Sequence, residues 1–275
     1  MAQKNGDILI VVLKISKDMR LNILTDTHFE EYHTHLNVNI AAALKEVDEI
    51  EITQQSFTFY TSVAVISSSK IEGEAMEIDS YLKHKVHNIE YLPILVEKPN
   101  DLFKSYLFAQ QNQLNKENFL ECHSILSEHL LPQKWRGTYR KNEMVVLEHN
   151  TGRIQFEAAP YGIVEIEMNN LWRDISLLLN STLLIEEIFY YASFIHAALV
   201  AIHPFSDGNG RAARLLEKWF LSQLLGKKAW YIASEKYYYH HVNDYYLNLN
   251  RIGMFYDKID YSKANLFFMM LPRSL

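Results

Sequence analysis

The spacing of apolar residues along this chain predicts a mainly α-helical protein. Apolar residues recur every three or four positions over long stretches, which is the spacing of a helix with one buried face. The two strongest runs cover residues 185–202 and 208–225, and the second stops at Gly226, a residue type that commonly ends helices. The same spacing predicts further helices over 27–49, 57–71, 77–85, 101–113, 116–130, 167–179, 237–250 and 257–271.

One region departs from the helical spacing. Residues 137–165 are rich in β-type side chains, at 145–147, at 154–156 and at 163–164. Asn150-Thr151-Gly152 supplies a turn signal inside this region. We therefore expect a short β-hairpin, or flap, within the helical protein.

Two prolines indicate how the chain is divided. Pro93 and Pro99 flank the charged pair Glu97-Lys98, which predicts a linker between an N-terminal helical region, residues 1–98, and a larger unit, residues 99–275. An apolar run at 8–13 is too short to cross a bilayer and is interpreted as a strand or the start of a core helix. No other run is long and uncharged enough, so no membrane span is predicted.

Composition narrows the classes of partner. The formal net charge is −6, from 33 acidic and 27 basic side chains, so no overall basic field attracts nucleic acid or anionic lipid. Cys122 is the single cysteine, which excludes an intramolecular disulfide and a thiolate metal cage. A cytoplasmic, reducing location suits that count.

The most informative chemistry lies between the two strongest helical runs. Pro204 keeps His203 out of the right-handed helical region, so we expect the histidine in an extended connection. Asp207 is suited to cap the next helix. Gly208 and Gly210 allow a tight turn and close approach of a ligand. The free N–H groups of the new helix would then form a site for an anion.

Two arginines strengthen this interpretation. Arg211 and Arg214 lie three residues apart near the helix start, where cations oppose the helix dipole by about 0.3–1 kcal/mol each. A bound polyphosphate would satisfy both guanidiniums and the free N–H groups. The Asp207 carboxylate suits Mg²⁺, and His203 could accept a proton from an attacking hydroxyl. The sequence therefore predicts a phosphate-handling site.

Residues 203–214 resemble the signature of the Fic (filamentation induced by cAMP) family, His-Pro-Phe-x-Asp/Glu-Gly-Asn-Gly-Arg-x-x-Arg, at every defined position. The resemblance implies a Fic-type helical bundle with a hairpin flap. It also implies an adenylyltransferase that moves AMP from ATP to a Ser, Thr or Tyr hydroxyl of a protein and releases pyrophosphate. The implied roles are His203 as general base, Asp207 as Mg²⁺ ligand, Phe205 as apolar anchor, Gly208, Asn209 and Gly210 as the α-phosphate nest, and Arg211 and Arg214 as holders of the β- and γ-phosphates.

A second segment is similar to the inhibitory motif of the same family. Ser68 and Glu72-Gly73 match Ser/Thr-x-x-x-Glu-Gly/Asn, which implies an inhibitory helix over about 57–72. Gly73 is a natural helix stop and places Glu72 at a helix C-terminus, the unfavourable end for an anion. We expect Glu72 to pair with Arg214 and withhold it from the γ-phosphate, which would make the enzyme autoinhibited.

The remaining matches concern the target and the nucleotide base. Ile154, Gln155 and Phe156 are the best candidates for the family's target-docking flap. The family often has several prolines in this segment, whereas this chain has only Pro160. Residues 135–140 are similar to the segment that enters the flap. The tyrosine-rich run 234–246 resembles the helix near the base.

The expected function is Mg²⁺-dependent transfer of AMP to a target protein, which could be the chain itself. Three alternatives stay open: removal of AMP with Glu72 orienting a water, transfer from another nucleotide, and a nucleotide-binding interaction module without turnover. An intact His203 and Asp207 disfavour the last of these, because binding alone needs neither a base nor a metal ligand. Relatives often form homodimers, but this sequence identifies no interface.

Overall fold

The computed structural model describes residues 20–48, 50–147 and 154–275, and within them the protein is mainly helical. It has 12 α-helices and one two-stranded antiparallel sheet. The predicted class, a helical bundle with a short hairpin, is confirmed. The helices are α1 Phe29–His35, α2 Ile40–Asp48, α3 Gln54–Ile71, α4 Ile78–His87, α5 Pro93–Gln111, α6 Lys116–Leu126, α7 Tyr161–Leu179, α8 Ile185–Ile202, α9 Asn209–Leu225, α10 Ser234–His240, α11 Val242–Ile252 and α12 Asn265–Phe268, and the strands are β1 Val145–Leu147 and β2 Ile154–Glu157.

Helix α8 lies at the centre of the core. It is apolar on nearly all sides and is covered by α7, α9, α1 and α12, as expected for a helix without a solvent-facing stripe. By length and composition it is also the one described helix that could cross a membrane, and 83% of it is buried inside the protein. His203 follows directly as its C-terminal cap, so the core fixes the position of the candidate site.

Asp174 of α7 ties the first described segment to this core. Its buried carboxylate accepts hydrogen bonds from the backbone N–H groups of Asn22, Ile23 and Leu24, at 2.7–3.0 Å, and from the side chain of Asn22. Because a carboxylate with several N–H donors is fully satisfied, it can be buried without an ion pair.

The prediction of one helix over residues 27–49 is wrong, because the chain breaks it into α1 and α2. Leu36 ends α1 in an extended conformation. The Asn39 side chain then accepts from the N–H of Ala42 at 3.0 Å, which caps the start of α2. This local side-chain cap prevails over the apolar spacing that runs across both helices.

The C-terminal predictions fail in the same way. The predicted helix 237–250 is two helices, α10 and α11, which meet at His241. The predicted helix 257–271 consists of single 3₁₀ turns and the short α12. Short turns with aromatic anchors pack this segment against α8, so tertiary packing rather than helical propensity determines its conformation.

The predicted linker around Pro93 and Pro99 is also wrong. Pro93 begins α5, where its missing N–H is not needed, and Pro99 lies inside the same helix. The Pro99 carbonyl accepts a hydrogen bond from the Tyr81 hydroxyl at 3.1 Å, so packing against α4 supports this turn. Helix α5 therefore runs without a break across residues 98–99, so no linker lies there. The division of the chain into regions 1–98 and 99–275 stays a prediction.

The predicted hairpin is present, though shorter than the β-rich region. Strand β1 pairs with β2 in antiparallel register, with Val145 opposite Glu157 and an irregularity after Val146. The turn predicted at 150–152 lies outside the described residues, and 163–164 belong to α7 instead. On its outer edge, the N–H of Glu157 donates to the carbonyl of Met254 at 2.8 Å.

A buried ion pair connects α9 with α10. The Lys218 ammonium donates to the carboxylate of Glu235 and to the carbonyl of Ile232 at 2.7 Å. The Tyr106 hydroxyl donates to the other oxygen of Glu235 at 2.7 Å. Both charged groups are removed from water, so each depends on the other for compensation.

We predict that Lys218→Met lowers the free energy of unfolding by about 3–5 kcal/mol, because it leaves Glu235 buried without its cation. The double variant Lys218→Met/Glu235→Leu should recover most of that loss. Urea denaturation followed by tryptophan fluorescence measures both, with Lys263→Met, which breaks an exposed pair with Asp260, as the control. A double variant no more stable than the single one would contradict this account.

Candidate functional site

His203 is the first residue of the site and ends helix α8. Its backbone is left-handed, with φ 52° and ψ 59°, and its N–H donates to the Leu199 carbonyl at 2.9 Å. The expected extended conformation is therefore wrong: Pro204 excludes the right-handed helical region, and the left-handed one satisfies a helix carbonyl as well. Nδ1 lies 3.1 Å from the carbonyl of Val200, which can only accept, so Nδ1 carries the proton. Nε2 keeps a free lone pair.

The electrostatic surroundings keep His203 neutral. Burial lowers the pKa of its imidazole, and the positive charge of Arg140 lowers it further. The hydrogen bond to Val200 and the charges of Glu72 and Asp207 act in the opposite direction without offsetting these effects. A neutral imidazole with a free Nε2 can accept a proton.

The loop after Pro204 forms the start of α9. Gly208, not Asp207, is the N-cap, with φ 80° in the left-handed region. The expectation that Asp207 caps the helix is wrong, because its carboxylate instead accepts from the adjacent N–H of Gly208 at 2.6 Å. Asn209 fixes the loop by bonding both the N–H and the carbonyl of Phe205, at 2.9 and 2.8 Å. Phe205 itself is fully buried.

Arg214 is enclosed by the predicted inhibitory segment. Its Nε donates to the Ser68 hydroxyl at 2.8 Å, and its Nη2 donates to the Ser68 carbonyl at 3.2 Å and to Glu72 Oε1 at 2.6 Å. On the other side, Nη1 donates to the Tyr245 hydroxyl at 3.3 Å. The predicted pairing of Glu72 with Arg214 is thus present in the structure.

Glu72 lies where the sequence placed it, at the C-terminus of α3. Gly73 follows in the left-handed conformation, with φ 83°. Burial alone would raise the pKa of Glu72, but the charges of Arg214 and Arg211 outweigh it and the pKa is lowered. A Cβ atom on Gly210 would lie 2.5 Å from Glu72 Oε1, so the carboxylate occupies the space directly beside the start of α9.

Arg211 is buried but incompletely paired. Its Nε and Nη1 have no hydrogen-bond partner among the described residues. The nearest carboxylate oxygens, of Glu74 and Asp207, are 3.7 and 3.8 Å away, beyond hydrogen-bond length. Buried donors without a partner are costly, so this guanidinium has donors that a bound anion could satisfy.

A cavity of about 1090 Å³ brings the candidate residues together. Its apolar end is formed by α8 and α11 and by the flap, through residues such as Val200, Ile252 and Val146. Ser68 and Arg211 are not part of the wall, and for Ile154 and Gln155 only the backbone is described. The predicted site residues that line it are Glu72, Gly73, Phe156, His203, Asp207, Gly208, Asn209, Gly210 and Arg214.

The donor set fits one Mg²⁺ ligand from the protein. The Asp207 side chain is 49% exposed on the cavity wall, next to the turn at Gly208. Its hard oxygen with open space around it suits a Mg²⁺ ion that takes its other ligands from phosphate and water.

The role of His123 in this loop was not predicted from the sequence. Its Nδ1 accepts from the N–H of Gly137 at 3.0 Å, so Nε2 carries the proton and donates to the Asp207 carbonyl at 2.9 Å. The ring stacks on Phe205 at 3.5 Å, and burial lowers its pKa to about 4. A polar residue on the buried face of α6 was the available signal.

Arg140 was likewise missed as a site residue. Its guanidinium donates to the carbonyls of His203, Ile202, Ala159 and Asn142. Its own N–H donates to the Pro204 carbonyl at 2.8 Å. Arg140 therefore joins the end of α8 to both ends of the flap.

Comparison with known proteins agrees with this geometry. The Fic/DOC family model matches residues 113–221. Protein adenylyltransferase Fic of Nematostella vectensis is 33% identical over 114 residues, which is 41% of this chain, and the match spans only 24% of that relative.

Solved structures show the same fold. A Fic family protein from Desulfovibrio desulfuricans G20 has a TM-score of 0.74 over 93% of this chain and 75% of its own. A Fic domain containing signaling protein from Bacteroides thetaiotaomicron has a TM-score of 0.62 over 86% of this chain and 93% of its own. Both are 17% identical to this chain, so they establish the fold alone. The family match, the fold and the residues around the cavity lead to one conclusion: residues 113–221 of this chain match the Fic domain of the Fic/DOC family.

Proposed function

We propose that this protein transfers AMP from ATP to a hydroxyl group of a target protein. The observation that carries the proposal is the buried Arg211, whose unpartnered donors lie beside a loop that also presents His203 and Asp207. A polyphosphate would supply the missing acceptors and reach the helix N-terminus at the same time. The name of the partly matching relative, a protein adenylyltransferase, supports the same reaction.

The residues divide the chemistry between them. The acceptor oxygen attacks the α-phosphorus while its proton passes to Nε2 of His203, which is free for it. The bond from the α-phosphorus to the oxygen that bridges to the β-phosphate breaks, and pyrophosphate leaves. Arg211 and Arg214 hold the β- and γ-phosphates. Asp207 would hold Mg²⁺, which when bound neutralises charge on the phosphate oxygens.

The flap is the proposed docking place for the target. Strand β2 has an outer edge on which an extended segment could pair, as in other cases of strand addition. Met254 already takes the outward N–H of Glu157, so the open part of the edge lies at Ile154 to Phe156. Phe156 and Val145 of the flap also line the cavity, which brings a docked hydroxyl towards His203.

We further propose that Glu72 inhibits the enzyme. While Glu72 and Ser68 occupy Arg214, that guanidinium is not available to the γ-phosphate. Removal of Glu72 would free it and the space beside Gly210. In the absence of nucleotide, the contact between Glu72 and Arg214 would therefore inhibit AMP transfer.

A second candidate reaction is hydrolytic removal of AMP from a modified protein. The observation that favours it is the position of Glu72, which lines the cavity and is close enough to His203 to influence its pKa. In that position the carboxylate could orient a water.

We predict that Glu72→Gly increases AMP transfer by about tenfold or more, because it removes a charge-assisted hydrogen bond that contributes about 1.5–3 kcal/mol. Incubation with α-³²P-ATP, Mg²⁺ and a lysate reveals labelled proteins, the enzyme included. Parallel samples with γ-³²P-ATP should gain no label beyond that of a lysate without the enzyme, since pyrophosphate leaves. Glu72→Gly/His203→Ala should transfer nothing.

Glu77→Gly is the matched control for this experiment. The Glu77 side chain is largely exposed, and it pairs with Lys70 and does not line the cavity. Its transfer should equal that of the parent protein. If Glu72→Gly increases labelling from γ-³²P-ATP but not from α-³²P-ATP, the reaction is phosphorylation and not adenylyl transfer. If Glu72→Gly instead abolishes release of AMP from a labelled protein, the hydrolytic reaction is correct.

The lowered pKa of His203 predicts the pH dependence of transfer. The base form persists until the pH falls through the lowered pKa, so the acid limb of the rate should have its midpoint below about 6.5. Because Glu72 raises the pKa of His203, the midpoint should be lower still in Glu72→Gly. Initial rates at saturating ATP between about pH 5 and 8 measure it. A midpoint above the ordinary histidine value would remove His203 as the base.

A further inference from the structure

A closed network of buried polar side chains lies behind Arg214 and has no part in the proposed function so far. Nδ1 of His196 in α8 is 2.8 Å from Glu217 of α9, and its Nε2 is 2.9 Å from the Tyr245 hydroxyl of α11. That hydroxyl contacts Nη1 of Arg214. The Tyr238 hydroxyl of α10 completes the network by contacting both oxygens of Glu217 at 3.0 Å.

The chemistry of these groups determines the direction of every hydrogen bond. A carboxylate only accepts, so Nδ1 of His196 and the Tyr238 hydroxyl donate to Glu217. Nε2 of a neutral His196 must then accept, and the Tyr245 hydroxyl donates to it. The lone pairs of the Tyr245 oxygen are left for Arg214, which only donates. All four network side chains are buried, and this arrangement satisfies each of them.

The alternative with a charged His196 is unfavourable. Nε2 would then donate to Tyr245, whose oxygen would accept twice and whose own proton would lack a partner in the core. Burial raises the pKa of Tyr245 despite the nearby Arg214, so its hydroxyl stays protonated. The network therefore presents an acceptor, and not a donor, to the guanidinium.

The network closes on one helix. Arg214 and Glu217 are three residues apart on α9, hence on one face, and Tyr245 and His196 connect them through α11 and α8. Because this ring of contacts involves three packed helices, it restricts the Tyr245 hydroxyl to one position. Glu72 and Ser68, by contrast, hold Arg214 from α3 alone.

We propose that Glu217 and His196 position the Tyr245 hydroxyl so that it holds Arg214 in the orientation that receives the γ-phosphate once Glu72 has left. This inference rests on the proposed function, because it uses Arg214 as a phosphate holder. Tyr245 is a positioning residue and touches no reacting atom.

The test compares two nucleotides that differ only in the γ-phosphate. Binding of ATP and ADP with Mg²⁺ is measured by calorimetry in the Glu72→Gly/His203→Ala protein, which frees Arg214 and prevents turnover. Tyr245→Phe in that protein should raise the Kd of ATP by about three- to tenfold, the usual effect of one hydrogen bond, and leave the Kd of ADP within about twofold. Combined with Arg214→Ala, Tyr245→Phe should have no further effect on ATP.

Tyr106→Phe is the matched control, since Tyr106 is also a buried tyrosine bonded to a buried glutamate, Glu235. It should not change the ratio of the two Kd values. An equal loss of ATP and ADP affinity in Tyr245→Phe, or no loss, would show that the network only supports the fold and would overturn the inference.

His196 gives an independent pair of variants. His196→Gln can still place an acceptor near the Tyr245 hydroxyl, whereas His196→Asn is too short to reach it. We expect an ATP-selective loss of affinity in His196→Asn and a smaller one in His196→Gln. Equal ratios of the ATP and ADP Kd values in the two variants would count against the inference. Absence of ATP binding to the Glu72→Gly/His203→Ala protein itself would overturn the proposed function together with this inference, whereas intact binding with unselective losses overturns the inference alone.

Discussion

The structure depends on a guanidinium that is buried and cannot give up its charge. Arg214 lies within the core. Burial alone would lower its pKa, but the charge and hydrogen bond of Glu72 act against burial, and the pKa is raised above the ordinary value. A permanently charged group in such a place needs acceptors on every side. Ser68 and Glu72 supply them from the N-terminal region, and Tyr245 supplies one from the C-terminal region. Under the proposed function, a phosphate would compete with the Glu72 carboxylate for this guanidinium.

The arrangement of the candidate site residues was largely predictable, because these residues are close in sequence or carry opposite, unsatisfied charges. His203 to Arg214 form one loop and helix start, so their spacing alone places them together. The contact between Glu72 and Arg214 joins residues 142 positions apart, yet each residue occupies a helix end that disfavours its charge. Two such conflicts of opposite sign are resolved by one contact.

What the sequence did not reveal depends on tertiary contacts. His123 and Asp207 are 84 positions apart, and nothing in the local sequence of either shows that a ring nitrogen meets a loop carbonyl. Pro99 inside α5 and the break at Asn39 follow from packing and capping, which override apolar spacing. The conformation of His203 was missed because the restriction before proline excludes one region of backbone space without choosing between the others.

Arg140 ties together two parts of the molecule that serve different purposes. One guanidinium holds the carbonyls of Asn142 and Ala159, at the two roots of the hairpin, and those of Ile202 and His203, at the end of the central helix. The two roots of the hairpin are therefore tied to the residue that presents the imidazole. Under the proposed docking, Arg140 sets the distance between a strand bound to the hairpin and the imidazole, so a target would be selected by how far its hydroxyl lies from the bound strand as well as by its side chains.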